Sequence, residues 1–448
     1  MNARDIDMLH GSLWDKIIVF ALPLAITGVM QQLLNAADVV TLGQFVGKNA
    51  MAAVGNNTSM VGLIVSLMMG LSLGANVVIA QNIGANRIDR AQSAVSTAFV
   101  LAITAGVFFL IVGESLVAPI FYLLDVPASV VDMAETYLRI FLIGLPAISL
   151  YNFQAAIFRS KGDTRTPLIA LTVASLVNII LNLIFVLQFD FGVAGVAAAT
   201  VIANFVSAII LFRELLRADG IIKLNLNALI IDKGELFEIV RIGLPAGIQG
   251  MVFSLSNLLI QAAINSLGAD AMAASAASFA IEINVFCVVN SFGQAATTFV
   301  GQNYGAGNLP RCKRATWVSM GLSAIFMQTL CFAILFFAED VLSFFNEDPE
   351  VIRLGVIRLY WIVIPELINV LMEGLSGALR GYGISLTPAV ITLVCVCGIR
   401  VVWVLVVFEK FSTYSMLMAV YPLSWFITTI FLVAAYFYHV KRLKPARK

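Results

Sequence analysis

Charge is scarce in this chain. Of its 448 residues only 12% are Asp, Glu, Lys or Arg, about half the share of an ordinary soluble domain. Histidine is almost missing: His10 and His439 lie near the two ends, so acid–base or metal chemistry built on internal His is excluded. Cysteine is sparse, five in number with no C-x-x-C, and no disulfide framework follows. There is no G-x-x-x-x-G-K-[ST] loop, so the chain does not drive itself with ATP. No basic domain and no acidic tail stand out, and no nucleic-acid partner is expected. What fills the chain is apolar: 60% of it is hydrophobic, with a mean hydropathy of +0.96. A fold of this composition has too little polar surface for water. The expected class is an all-α polytopic membrane protein with the lipid bilayer as its solvent.

A bilayer core of about 30 Å takes roughly 20 helical residues. Apolar stretches between charged or Gly/Pro-rich breaks predict twelve spans, near 14–40, 51–80, 91–113, 133–157, 167–187, 193–216, 236–265, 272–302, 312–337, 352–378, 388–408 and 413–440. Of the 27 Lys and Arg, 21 fall in one alternating set of loops and the two ends, from Arg4 and Lys16 to Arg447 and Lys448. The opposite loops hold only Lys48, Arg353 and Lys410. The positive-inside rule then places both termini in the cytoplasm. A plasma membrane location in a prokaryote is expected.

The chain also repeats itself. Gln81-Asn82-Ile83-Gly84-Ala85 matches Gln302-Asn303-Tyr304-Gly305-Ala306 at an offset of 221 residues, as Arg159, Gly162, Thr166 and Pro167 match Arg380, Gly383, Thr387 and Pro388. Leu22-Pro23 matches Leu244-Pro245 at 222, and Leu145-Pro146 echoes Ile364-Pro365 at 219. Two tandem lobes of six spans follow, 1–220 and 221–448, pseudo-symmetric about an axis along the membrane normal. Gly84 and Gly305 are expected as left-handed helix caps.

Intramembrane charge costs at least about 2.5–3.5 kcal/mol on insertion scales, so Asp38, Glu282, Glu366 and Glu373 each need a reason. Gln31, Asn35 and Asp38 share one face of span 1. Asn178 and Asn182 do so on span 5, and Thr200 and Asn204 on span 6. One reading is a small site around Asp38. Burial favours the neutral form of a carboxylate, which readies it to carry a proton. The same oxygen donors suit Na⁺, a hard cation. The other reading is an interfacial Asp with the amides as interhelical glue. On span 10, Glu366, Asn369 and Glu373 share a face, and on span 8 Glu282 lines up with Ser275 and Ser278. These are either anionic groups that attract a cationic solute or internally paired charges, with Arg358 or Arg400 as counter-ion.

With Leu-Pro early in spans 1 and 7, the pattern resembles the multidrug and toxic compound extrusion (MATE) family. Gln31-Gln32-Leu33-Leu34-Asn35-Ala36-Ala37-Asp38 looks like that family's first helix. Val177-Asn178-Ile179-Ile180-Leu181-Asn182 looks like its fifth, and Ala378-Leu379-Arg380-Gly381 like the segment after its tenth. The resemblance covers essentially the whole chain. It implies a secondary exporter, not an enzyme, with no cofactor beyond a coupling ion, H⁺ or Na⁺. Small amphipathic organic cations would leave in exchange, by alternating access, through a protein that works as a monomer. By the same resemblance Asp38 is the coupling carboxylate, with Asn178, Asn182 and Thr200 beside it and a Na⁺ position at Asp38. Gln31, Asn35 and Asn204 are supporting groups, and Glu282, Glu366, Asn369 and Glu373 form a second polar site for substrate. Phe253 stands where NorM-type members carry a Glu, and Asn369 falls near their Asp, so the match leans to the DinF-type branch. The alternative is a lipid-linked oligosaccharide flippase of similar two-lobed architecture. Its cavity needs a basic cluster, which three intramembrane Arg against four carboxylates do not provide.

Overall fold

The computed structural model describes residues 5–123, 130–218 and 220–443. Arg4, Lys444, Arg447 and Lys448 of the charge pattern lie outside the described residues. All regular structure among the described residues is helical. The first half runs α1 (Trp14–Phe45), α2 (Lys48–Gly84), α3 (Ile88–Leu123), α4 (Val131–Ile143), α5 (Leu145–Lys161), α6 (Arg165–Leu183) and α7 (Gly192–Arg217). The second runs α8 (Lys233–Asn265), α9 (Ala269–Gly305), α10 (Leu309–Phe336), the short α11 (Ala338–Ser343), α12 (Pro349–Val363) and α13 (Glu366–Gly381). It ends with α14 (Leu386–Thr392), α15 (Ile399–Val402), α16 (Tyr414–Met418) and α17 (Val420–Arg442). Wider π turns follow α6 at Ile184–Gln188 and flank α15 at Leu393–Gly398 and Trp403–Phe408.

Ten stretches are long and apolar enough to cross a bilayer unbroken. Two more are bent pairs, α4–α5 at 46° and α12–α13 at 43°. Each pair taken as one span, there are twelve, where the hydropathy pattern puts them. The bends fall at Gly144-Leu145-Pro146 and Ile364-Pro365, the two Leu/Ile-Pro steps that the repeat pairs. Proline has no N–H for the helix ladder, so each span breaks there.

The repeat is written in the backbone as well. Left-handed residues come in pairs 221 apart: Gly47 and Gly268, Asn86 and Gly307, Gly162 and Gly383. The caps expected at Gly84 and Gly305 are displaced by two residues. Helices α2 and α9 run through those glycines in ordinary helical geometry, and the left-handed turn is taken by Asn86 and Gly307. Arg87 N–H then donates to Asn82 C=O, and Asn308 N–H to Asn303 C=O, closing the last carbonyls.

Two compact units result. Unit 1 is Val29–Gly247 with the stretch before Asp7, and unit 2 is Asp7–Gly28 with Ile248–Lys448. The cut falls inside α1 and α8 just after Pro23 and Pro245, whereas the sequence repeat turns over at 220/221. Local packing explains it. In unit 2 the first half of α1 meets α9, with Phe20 edge-on to Phe299 at 5.7 Å and Gly28 against Cys287. In unit 1 the first half of α8 crosses α2 through two glycine pairs, Gly70/Gly74 and Gly243/Gly247. A Cβ built on Gly74 would stand 2.2 Å from the Ile239 carbonyl oxygen, and one on Gly70 2.1 Å from the Gly247 nitrogen. Between helices in lipid there is no hydrophobic drive, and such close backbone approach supplies the attraction.

At the centre of unit 1 stands α5, with 13 of its 17 residues buried. Its counterpart α13 has 12 of 16 buried and is the axis of unit 2. Large side chains such as Phe108, Ile111, Ile180, Phe332 and Phe336 are exposed, as lipid-facing positions should be.

Gly74→Ala is expected to lower thermal stability in detergent by about 1–3 kcal/mol, the usual cost of overpacking. Gly62→Ala on the same helix, where a Cβ meets nothing within 4 Å, should leave the melting curve where it is.

Candidate functional site

Asp38 sits two turns before the end of α1 and is 6% exposed. Both its carboxylate oxygens are taken. Asn182 Nδ2 on α6 donates to Oδ1 at 2.6 Å, and Thr200 Oγ1 on α7 donates to Oδ2 at 3.0 Å. A second ring of bonds closes behind. Asn182 Nδ2 gives its other hydrogen to Asn178 Oδ1 at 3.2 Å, and Asn178 Nδ2 donates to Thr200 Oγ1 at 3.2 Å. Three helices of unit 1 thus meet at one carboxylate. Their polar faces come together because Asn178 and Asn182 are one turn apart on α6, and α6 packs along α7.

The donor directions carry chemical meaning. An ionised carboxylate only accepts, and here it meets two donors. One acceptor in the cluster, Asn182 Oδ1, is buried with no partner among the described residues. A proton on Asp38 would make one carboxyl oxygen a donor and oppose the Asn182 or Thr200 bond. A monovalent metal ion would need the oxygens of Asp38, Asn178, Asn182 and Thr200 turned inwards. The Thr200 hydroxyl can turn from donor to acceptor to meet a proton, whereas a metal ion would call for the amide oxygens of α6. The π turn at Ile184–Gln188 begins two residues after Asn182. Such a break in the helix ladder is common at functional sites.

The supporting residues divide. Asn204 Nδ2 donates to the backbone oxygen of Thr200 at 2.9 Å and steadies that turn of α7. Gln31 and Asn35 do not join the cluster. Asn35 is exposed, and neither side chain makes a hydrogen bond among the described residues. A heptad step brings Gln31 and Asp38 to one side of α1, but of that stripe only Asp38 reaches the donors of α6 and α7. Tyr137 on α4 was not singled out by the sequence. It is buried and close enough to feel the charge of Asp38, and no spacing rule links the two helices.

In unit 2 the second set of polar residues is largely paired within itself. Glu282 on α9 is held by Arg358 on α12 in a two-bond fork, Nε to Oε1 and Nη2 to Oε2, both at 2.9 Å. Glu366 Oε1 accepts from Asn369 Nδ2 at 2.7 Å. Glu373 faces Arg380 at 3.9 Å. Ser275 shares a short bond with the Tyr414 hydroxyl, and Ser278 donates to the Gly355 carbonyl. Arg400, expected as a counter-ion, meets no carboxylate among the described residues. The fork of Arg358 has already taken Glu282.

The family model MatE matches residues 23–184 and, a second time, 245–406. The chain belongs to the MATE family. Both matches begin on a Leu-Pro proline and lie 222 residues apart, so the family unit is the repeat itself. MATE proteins are transporters and not enzymes, and this chain is a multi-pass membrane transporter of that family. Among curated proteins it is 27% identical over 404 residues to the probable multidrug resistance protein YoeA of Bacillus subtilis, covering 87% of this chain and 86% of that one. It is 29% identical over 392 residues to the probable multidrug resistance protein NorM of Thermotoga maritima, covering 86% and 83%. A solved structure of MATE in complex with MaL6 superposes with a TM-score of 0.91, at 20% identity and over 98% of this chain and 99% of that one. The MATE fold is therefore shared over its full length.

Replacing Asn182 by Leu leaves the Asp38 carboxylate without its shortest bond and should cost about 1–3 kcal/mol of stability. In an Asp38→Leu background most of that loss should vanish. A thermal-unfolding double-mutant cycle reads this as a coupling of at least about 0.5 kcal/mol, and additive losses would mean the bond is idle. Arg358→Met should cost about 3–5 kcal/mol by stranding a buried Glu282, and adding Glu282→Leu should restore most of it.

Proposed function

We propose that this MATE protein exports small amphipathic organic compounds, cationic ones among them, in exchange for an inward-moving cation, H⁺ or Na⁺, bound at Asp38. The observation that carries the reading is the Asp38 cluster: a buried carboxylate whose two donors, Asn182 and Thr200, sit on two other helices. Binding a cation changes what the carboxylate offers those donors, so α6 and α7 must move relative to α1. Coupling needs the ion and the solute to prefer different arrangements of the same helices. Pro23, early in α1, and Pro245 in α8 lack the N–H that would pair with the carbonyls of Val19 and Arg241 four residues before them, and Thr27 Oγ1 bonds back to the Pro23 carbonyl at 2.7 Å. They are the bending points of this scheme.

The multidrug resistance names of the relatives support the substrate class, and they do not favour a lipid-linked oligosaccharide flippase. Phe253 at the place of the NorM-type Glu supports the DinF-type leaning. The Lys/Arg bias supports both termini in the cytoplasm of a prokaryotic cell, in its plasma membrane. The protein works as a monomer in this scheme, because one chain carries both lobes.

Purified protein in liposomes, under an imposed proton gradient and then a sodium gradient, should move a fluorescent organic cation under one of the two. Asp38→Asn should insert normally and lose that movement by a factor of ten or more. Full coupled export in the mutant would overturn the role of Asp38. Transport that ignores both gradients would overturn antiport.

A further inference from the structure

The repeat carries the polar helix faces of unit 1 across to unit 2, where the charged residue stands at the counterpart of Asn178 and not of Asp38. At the 222-residue offset of the two family matches, Gln31, Asn35 and Asn178 become Phe253, Asn257 and Arg400, and Asp38 becomes Ile260, although by the 221-residue offset that opens spans 5 and 11 Asn178 falls one residue earlier, on Ile399. One residue off that register, Thr200 becomes Tyr421. These counterparts meet in space. The Arg400 guanidinium lies 4.5 Å from the Tyr421 ring centroid and 5.6 Å from that of Phe253. Its Nη1 donates to Asn257 Oδ1 at 2.8 Å and reaches Ser256 Oγ at 3.5 Å. Where unit 1 has a buried carboxylate, unit 2 has a buried guanidinium.

That guanidinium is wholly buried, 0% exposed. Two of its nitrogens, Nε and Nη2, have no partner among the described residues. Ring faces and one amide oxygen reduce the cost of a cation in hydrocarbon but leave its charge unneutralised. The nearby Arg358–Glu282 pair is balanced and contributes no spare carboxylate. Nε and Nη2 form one edge of the guanidinium plane, with parallel N–H bonds that fit a two-oxygen anion. Arg358 uses that same edge, Nε and Nη2, to hold Glu282. Arg400 presents it to no protein group. The π turns on both sides of α15, at Leu393–Gly398 and Trp403–Phe408, place this residue in an irregular stretch of span 11, the kind of break found at functional sites.

We infer that Arg400 is the anchor of an anion site in unit 2, taking a carboxylate or phosphate group through its Nε/Nη2 edge between Tyr421 and Phe253. The group belongs to a transported organic solute that bears an acid, to free phosphate or to a lipid headgroup. The site rests on unit 2 alone and stands or falls apart from ion coupling at Asp38.

The test is the melting temperature of the purified full-length protein in a phospholipid-free detergent. Sodium chloride is replaced stepwise by sodium benzoate or sodium phosphate at constant ionic strength, and phosphatidylglycerol is added to the micelles in a third arm. A ligand that binds only the folded state raises the melting temperature with its logarithm, by about 2 °C or more per tenfold. A rise with benzoate alone points to an organic acid, with benzoate and phosphate to soluble anions at large, and with the lipid alone to a headgroup. Asp38→Asn should keep the rise. Arg400→Met should lose it, and Arg400→Lys, which keeps the charge without the fork, should lose the preference for benzoate or phosphate over chloride. Equal melting temperatures in every arm for the unmodified protein would overturn the inference. So would a rise that survives in both Arg400 variants.

Discussion

A buried carboxylate inside a membrane protein has to find its donors among the protein's own side chains, and those of Asp38 lie on two other helices. That constraint organises unit 1. Asp38 is satisfied only when α1, α6 and α7 stand where Asn182 and Thr200 reach it, and those two residues are themselves fixed by Asn178. The helices are not glued by apolar contact, because lipid is as apolar as leucine. They are held by small residues where backbones touch, as at Gly74 and Gly243, and by polar groups where they do not. A perturbation at the carboxylate is therefore a perturbation of helix packing, which is what a coupling site requires.

Unit 2 meets the same constraint differently. Its carboxylates are matched internally, Glu282 by a two-bond guanidinium fork and Glu366 by the amide of Asn369. Its Arg400 meets no carboxylate among the described residues. Duplication fixes which helix faces are polar in each lobe but not which charge they bear. The buried guanidinium of unit 2 stands at the counterpart of Asn178, while Asp38 itself is replaced by Ile260, so the lobes differ in both the place and the sign of the charge.

Much of the fold is legible in the sequence because a bilayer leaves few choices. Spans follow from the length of apolar runs, but the bends do not follow from Leu-Pro alone, since the chain breaks at Leu145-Pro146 and Ile364-Pro365 while α1 and α8 run on through Pro23 and Pro245. The convergence on Asp38 is partly legible too. Asn178 with Asn182, and Thr200 with Asn204, share helix faces by spacing alone. Which turn of α1 faces them is not, and Asn35, on the same stripe, ends exposed. The caps slip by two residues in both lobes, to Asn86 and Gly307, the residue types found most often at a left-handed helix end. Tyr137 near Asp38 lies outside any spacing rule, since it depends on how α4 packs.

The Arg400 cluster shows where a stronger sequence signal was present. Taken singly, Phe253, Asn257, Arg400 and Tyr421 are an apolar residue, an amide, a stray charge and an aromatic. Carried through the internal repeat, each becomes the counterpart of a residue on the polar faces around Asp38. Only Asn178 and Thr200 among those counterparts belong to the Asp38 cluster, so the repeat points to the helix faces of unit 2 that hold polar groups and not to a copied site. The chemistry then has to be read afresh. The burial of a guanidinium with one free edge is a cost that the fold retains, although an uncharged residue at that place would pack more cheaply. Two rings and Asn257 hold the guanidinium in place, and its Nε/Nη2 edge is what the inferred anion would fill.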